Sequence, residues 1–338
     1  MTNPWSRAVA SNKPWRRSVM SQEKILQTIQ KHKKFLISTH VNPDPDAICS
    51  ELAMAIYLRS LHKQVFIVNE ERVPSRLAFL SGADKIKGRQ DVPALEYDVA
   101  LVVDCGDIKR IGDVQNLLKA DKPLINIDHH ITNTDFGSCN LVRTEASSTA
   151  EVIYDLLIRA KCRLNKSLAE HLYAGIMTDT GSFRFENTTC RTHQIAGELM
   201  KYKFSPTDLY RRFYETIPLN DLKAFTKLIS RFEMDFEGRV VCVELRKKDL
   251  SKFSEEFDLR DTIFKFLRSC KGVEVYVILT EIKPGLTRVN LRSSRSVNVA
   301  QLAHHFNGGG HRKASGCTIE KDMKAARRDF LNELKKVL

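Results

Sequence analysis

No stretch of the 338 residues approaches the ~18 apolar side chains of a membrane span, and the N-terminal segment lacks the apolar core of a secretory signal. Cysteine occurs eight times, at positions 49, 105, 139, 162, 190, 242, 270 and 317, but never as a CxxC pair. That spacing argues against a zinc ribbon and offers no disulfide framework, so a reducing, cytoplasmic setting is expected. Acidic residues are too few to balance the basic ones: 41 Asp and Glu face 54 Lys and Arg, a net charge of +13. The surplus points to an anionic partner, with nucleic acid or nucleotides first, although a generally basic surface is the plainer alternative. With 42% hydrophobic and 28% charged residues, the chain has the composition of an ordinary globular protein, long enough for two cores.

The first 34 residues carry eight Lys or Arg against one Glu, and no apolar period begins before Ile25. Residues 1–20 therefore read as a disordered basic tail, solvated rather than a nucleic-acid arm. Met20 is an alternative start, since Ser21-Gln22-Glu23-Lys24 has the form of a helix N-cap followed by a helical period. From Phe35 strands and helices alternate. Strands are expected at 35–38, 65–68, 99–103 and 124–127, and helices at 47–61, 149–160, 167–177, 192–202 and 206–216. The nearly all-apolar strands suit a parallel sheet covered on both faces. A first domain over 21–217 is followed by a linker helix at 218–232 and a second domain at 233–338. In the second, strands are expected at 239–244, 273–280 and 287–291, with helices at 259–268, 299–305 and 323–337.

The chemistry gathers where the apolar runs end. Ile125-Asn126-Ile127 runs into Asp128-His129-His130; the first strand runs into His40-Val41-Asn42-Pro43-Asp44-Pro45-Asp46; the run at 99–103 ends in Asp104. Asp179 lies in Gly175-Ile176-Met177-Thr178-Asp179-Thr180-Gly181. Carboxylates and imidazoles at the carboxyl ends of buried strands are where open α/β sheets bind ligands. Any one of these Asp residues could be a helix cap; together they read as a two-metal phosphoesterase site. Asp44 and Asp46 can serve one centre from a Pro-stiffened loop, and Asp104 can bridge two cations. Carboxylate and imidazole donors without thiolate suit Mn²⁺, with Mg²⁺ second. Asn307-Gly308-Gly309-Gly310-His311 has no apolar content and reads as backbone free to approach a ligand, a plain flexible loop being the alternative.

His40-x-Asn-Pro-Asp-x-Asp46, Asp104, Asp128-His129-His130 and Asp179 resemble the four motifs of the DHH phosphoesterase family. Asn290-Leu291-Arg292-Ser293-Ser294 and the run from Gly308 to Gly316 resemble its associated C-terminal domain, and the match spans about residues 23–317. Order and spacing are most similar to the stand-alone nanoRNase branch, which also dephosphorylates 3′-phosphoadenosine 5′-phosphate (pAp). The resemblance implies an α/β fold: a parallel-sheet domain with helices on both faces, a smaller C-terminal α/β domain, and an active site in the cleft between them. It implies one metal on His40, Asp44 and Asp104, and a second on Asp46, Asp104, His129 and Asp179. His130 would face the phosphate, with Asp128 orienting His129. Arg292, Ser293, Asn307, Gly308, Gly309, Gly310, His311 and Arg312 would hold substrate. Pro45 departs from the pattern, where a small residue is commoner. The expected activity is Mn²⁺-dependent hydrolysis of short RNA to mononucleotides and removal of the 3′-phosphate of pAp. The alternatives are a cyclic-di-AMP or linear-dinucleotide phosphodiesterase, and a non-catalytic RNA-binding module. A homodimer stays open.

Overall fold

The computed structural model describes residues 14–254 and 257–338, which divide into two compact units after Glu215. The first unit runs α1 (Pro14–Lys31), β1 (Lys34–Ser38), α2 (Pro45–Ser60), β2 (Gln64–Asn69), β3 (Ile86–Gly88), β4 (Val99–Val103), β5 (Leu124–Asp128) and β6 (Cys139–Val142). Helices α3 (Thr149–Arg159), α4 (Lys166–Asp179), α5 (Cys190–Met200) and α6 (Pro206–Tyr214) complete it. The six strands form one parallel sheet in the order β3-β2-β1-β4-β5-β6. The direction of winding reverses between β1 and β4, which opens a crevice at their carboxyl ends.

Every residue of β4 is buried, as expected of a central strand with cover on both sides. Phe35, Ile37, Leu101, Val103, Ile125 and Ile127 pack against α2, α3 and α4. Leu36, Val68, Ala100 and Val102 face the other way, onto Ile111, Val114 and Leu117 of two 3-10 turns kinked at Gly112. Helix α2 is buried almost all round, which its run of Ile48, Cys49, Leu52, Ala53, Met54 and Leu58 allows.

One expectation is corrected at the N-terminus. The first helix begins at Pro14, inside the stretch expected to be disordered, and Ser21 lies within it rather than capping it. Pro is favoured at a first helical position because its fixed φ suits the helix and its missing N–H has no partner there. Ile25 and Ile29 anchor the rest of that helix in the core. Residues 1–13 of the expected tail lie outside the described residues.

The second unit runs α7 (Leu219–Ile229), β7 (Glu233–Asp235), β8 (Val240–Leu245), α8 (Lys247–Leu250), α9 (Leu259–Arg268), β9 (Val275–Lys283) and β10 (Leu286–Ser293). It continues with α10 (Val299–His305), β11 (Gly309–His311), β12 (Ala314–Ile319) and α11 (Met323–Leu334). Its sheet, β11-β12-β10-β9-β8-β7, is antiparallel except for the β8–β9 pair. Helices α10 and α11 cover one face through Leu302, Ala326 and Phe330; α7 and α9 cover part of the other through Phe225, Ile263 and Phe264. The helix expected to be a linker thus gives Phe225, Leu228 and Ile229 to this unit's core.

The glycine run also differs from expectation. Gly309 to His311 form the edge strand β11, paired with β12, rather than a free loop. A methyl on Gly308 would lie 2.3 Å from the Gly316 carbonyl oxygen, and one on Gly310 (φ +136°) 2.6 Å from that of Ala314. Both glycines are needed for the close approach of two backbones, so they have the packing role the sequence did not suggest. Only Gly309 faces open space among the three. Among the described residues no helix is long and apolar enough to cross a membrane.

Candidate metal centre

Three strand ends and two helix ends converge at the crevice. After β1, the Thr39 hydroxyl donates to the Val103 carbonyl at 2.8 Å, tying this loop to β4. His40 Nδ1 donates to the Val41 carbonyl at 2.8 Å, which turns Nε2 toward Asp104, 3.7 Å from its Oδ2. Asp44 is the N-cap of α2, with φ −86° and ψ 178°, and accepts from the Ala47 amide at 3.0 Å. Pro45 at the first helical position favours extended backbone at the residue before it, which is the conformation Asp44 has. Asp46, in the first turn of α2, is buried; its oxygens accept from the amides of Thr149 at 2.8 Å and Ala150 at 3.1 Å.

Asp104 ends β4 in the left-handed region (φ 53°), a costly conformation for a side chain with a Cβ. Its Oδ1 accepts from the Thr149 hydroxyl at 2.8 Å. His129 sets its Nδ1 3.3 Å from the Ala146 carbonyl, leaving Nε2 3.5 Å from Asp179 Oδ2 and 3.8 Å from Asp104 Oδ1. Asp179 sits on the last turn of α4, one turn after Gly175. The partner expected for Asp128 is corrected. It accepts from His130 Nδ1 at 2.7 Å and from Asn133 Nδ2 at 2.6 Å, while His129 is oriented by a main-chain carbonyl.

Donor atoms fall into three sets, each within 4.8 Å of one another: His40, Asp44 and Asp104; Asp46, His129 and Asp179; Asp104, His129 and His130. Burial and the neighbouring Asp104 charge push Asp44 and Asp46 above the ordinary carboxylate range. Asp179 rises to about 7 through burial and the charges of Asp44 and Asp104, against the pull of His129. Asp104 goes the other way: burial opposes ionisation, but His40, His129 and His130 together bring it to about 2. Burial would lower His130, yet Asp128 and Asp104 raise it to about 9. Crowded carboxylates that resist ionising together, beside imidazoles and without thiolate, are a donor set for hard or intermediate divalent cations.

Glycine 175 is what lets α4 come this close. A methyl there would lie 2.5 Å from Asp46 Oδ1 and 2.7 Å from Ala150 Cβ. Gly175→Ala should displace Asp46, cost about 1–3 kcal/mol of stability and weaken cation binding about tenfold; calorimetric titration with Mn²⁺ checks it. A second buried carboxylate lies one turn beyond. Glu51 accepts from Asn69 Nδ2 at 2.9 Å, and burial raises it to about 8, with a smaller push from Asp104. In the metal-free protein it folds protonated, so its contribution is complete below its unfolded value and is lost as pH rises through 8. Glu51→Gln should remove that loss. The expected gain over wild type is on the order of 3 kcal/mol at pH 8.5 and near nil at pH 4.5, read from urea unfolding in EDTA.

The second unit arranges its candidates by strand alternation. Arg288, Asn290 and Arg292 share one face of β10, and register places Asn290 beside Gly316 and Gly309, and Arg292 beside Ala314 and His311. The Arg292 guanidinium lies 4.8 Å over the Phe264 ring. Gly309, His311 and Arg312 are exposed. Ser293 is buried on the opposite side of the strand from Arg292, and the Gly308 amide is spent on the Ala303 carbonyl at 2.8 Å. Neither joins the exposed row.

Sequence reading missed the start of α3 and the turn before it: the Thr149 and Ala150 amides and the Thr149 hydroxyl touch Asp46 and Asp104, and the Ala146 carbonyl touches His129. The available signal was Ser148 three residues ahead of Glu151, a helix-start pattern.

Residues 34–176 match the DHH family, N-terminal domain, and residues 242–338 match the DHHA1 domain. The chain is 34% identical over 301 residues to the bifunctional oligoribonuclease and PAP phosphatase NrnA of Bacillus subtilis, covering 88% of this chain and 92% of that one. It is also 34% identical to a probable protein of the same name from Streptococcus mutans, over 93% of this chain and 98% of the other. A crystal structure of an exopolyphosphatase-related protein from Bacteroides fragilis superposes with a TM-score of 0.87 at 27% identity, covering 94% and 96% of the two chains.

Proposed function

The chain belongs to the DHH family, and on that premise we propose that it is a two-metal phosphoesterase that hydrolyses short RNA to mononucleotides and removes the 3′-phosphate of pAp. The observation that carries this reading is two neighbouring donor sets, His40 with Asp44 and Asp104, and Asp46 with His129 and Asp179, with His129 Nε2 3.8 Å from Asp104 Oδ1. Relatives at 34% identity named as oligoribonucleases and PAP phosphatases supply the substrate class.

In this reading His40, Asp44 and Asp104 would hold one divalent cation, and Asp46, Asp104, His129 and Asp179 would hold the other, Mn²⁺ ahead of Mg²⁺. Such cations, when bound, neutralise phosphoryl charge and acidify the attacking water. The protein's own part is to keep the carboxylates ionised only where cations replace their protons, and to orient each imidazole through its Nδ1. His130, whose Nδ1 bonds Asp128 at 2.7 Å, turns its Nε2 to the phosphate and, as an imidazolium, can donate a hydrogen bond to it and pass a proton to the departing ribose oxygen. The row of Arg292, Gly309, His311 and Arg312 grips the far part of the substrate. Eight free cysteines support a reducing, cytoplasmic setting.

The test is a product time course on a 5′-labelled dinucleotide, a pentanucleotide, pAp and cyclic-di-AMP in parallel, with Mn²⁺ or Mg²⁺. Mononucleotides from both RNAs and AMP from pAp are expected. Preference for cyclic-di-AMP would transfer the site to a cyclic-dinucleotide phosphodiesterase, and RNA binding without turnover would make the chain a binding module.

A further inference from the structure

We propose that Glu151 is a positioning residue: it locks the turn at residues 146–150, and that turn sets the geometry of four of the metal ligands. The inference rests on the two-cation reading above. The turn reaches His129 through the Ala146 carbonyl, Asp46 through the amides of Thr149 and Ala150, and Asp104 through the Thr149 hydroxyl. It reaches Asp179 at one remove: Asn187 Nδ2 donates both to the Ser147 carbonyl at 2.8 Å and to the Asp179 carbonyl at 3.2 Å.

One carboxylate oxygen ties the turn to α5. Glu151 Oε2 accepts from the Ser147 hydroxyl at 2.6 Å, the Ser147 amide at 3.3 Å and the Thr192 hydroxyl at 3.1 Å. Glu151 is 2% exposed and belongs to none of the three donor sets. A buried carboxylate is costly to keep, and a helix start needs no more than the Ser148 cap, which Glu151's own amide already uses at 3.1 Å. The carboxylate therefore has work beyond the cap, and its bonds run only toward the turn and α5.

The Asn187 arm is held at a cost of its own. Gly181, Ser182 and Phe183 are successively left-handed (φ 56°, 62° and 63°), and Ser182 Oγ, Asn187 Oδ1 and Thr188 Oγ1 are buried without a partner among the described residues. Strain and unpaired polar atoms concentrated in the segment that follows a metal ligand mark a conformation kept for placement rather than for stability.

Full-length Glu151→Ala, Glu151→Gln and Asn187→Ala are compared with wild type by Mn²⁺ titration calorimetry, melting in EDTA, and KM for a dinucleotide. Glu151→Ala should weaken Mn²⁺ binding about tenfold or more, with activity recovered at high Mn²⁺ and KM unchanged. Glu151→Gln places an amide oxygen where Oε2 was and should stay within about threefold of wild type, because the turn needs an acceptor and not a charge. Asn187→Ala leaves the Glu151 bonds intact and should lower Mn²⁺ affinity with little change in the EDTA melting temperature. It decides the matter if Glu151→Ala fails to fold. Wild-type affinity in both alanine variants overturns the proposal, as does a glutamine variant as weak as the alanine one, since charge would then be acting on the cations directly. A wild-type protein that binds no Mn²⁺ would sink the two-cation reading itself.

Discussion

Asp104→Ala should leave no measurable turnover at saturating Mn²⁺, a loss on the order of 10³-fold or more in kcat. Asp104 lies between His40 on one side and His129 and His130 on the other, at 3.7–3.8 Å from each. It is the carboxylate that three imidazoles hold ionised, down to about 2, while Asp44, Asp46 and Asp179 are pushed up. Its removal takes away the anion around which the others are arranged. Alanine would keep the left-handed strain and lose the ligand. Asp104→Asn sharpens the test, since its amide oxygen can still accept from Thr149 while the negative charge is gone. Both variants should show reduced Mn²⁺ stoichiometry, and EDTA should silence the wild type until Mn²⁺ is restored. A kcat above a tenth of wild type in either variant would rule out a bridging role.

The strand ends were legible because parallel strands buried on both faces leave an apolar run that stops abruptly, and a carboxylate or imidazole at the stop has no packing reason to be there. Val99–Val103 followed by Asp104 is such a case. The support around those ligands was not legible. The amides of Thr149 and Ala150 and the carbonyl of Ala146 do their work through the main chain, which every residue has, so no side-chain pattern announces them. Pairing His130 with Asp128 required knowing which way the chain turns after β5. The short strands β3, β6, β7 and β11 escaped because three or four residues give no period to read, and the six-residue β12 escaped because it opens on the small residues Ala314, Ser315 and Gly316; all pair for reasons that lie on their neighbours. Gly308 and Gly310 show the same limit: their need to be glycine comes from backbone atoms of β12 that are several residues away in sequence.

Arg292→Ala and His311→Ala should raise KM for a dinucleotide about tenfold or more, with bound Mn²⁺ unchanged and kcat reduced less than by Asp104→Ala. The donor sets among the described residues all belong to the first unit, so the second unit has no ligand to lose. What it offers is the face of β10 on which Arg292 stands next to Asn290, with Gly309 open to solvent in the same row. Burial and nearby Arg268 make the Arg292 charge less comfortable than usual, and stacking on Phe264 at 4.8 Å offsets part of that. A guanidinium held this way is preorganised to meet a phosphate, or to stack on a base, at small entropic cost. Arg292→Lys separates the two uses: it keeps a charge for a phosphate and loses the planar stack, so retained KM means charge alone is read. Because positioning feeds the reacting centre, some fall in kcat accompanies the rise in KM. If either alanine variant loses bound Mn²⁺, or cleaves the dinucleotide with wild-type KM, the second unit is not the substrate grip.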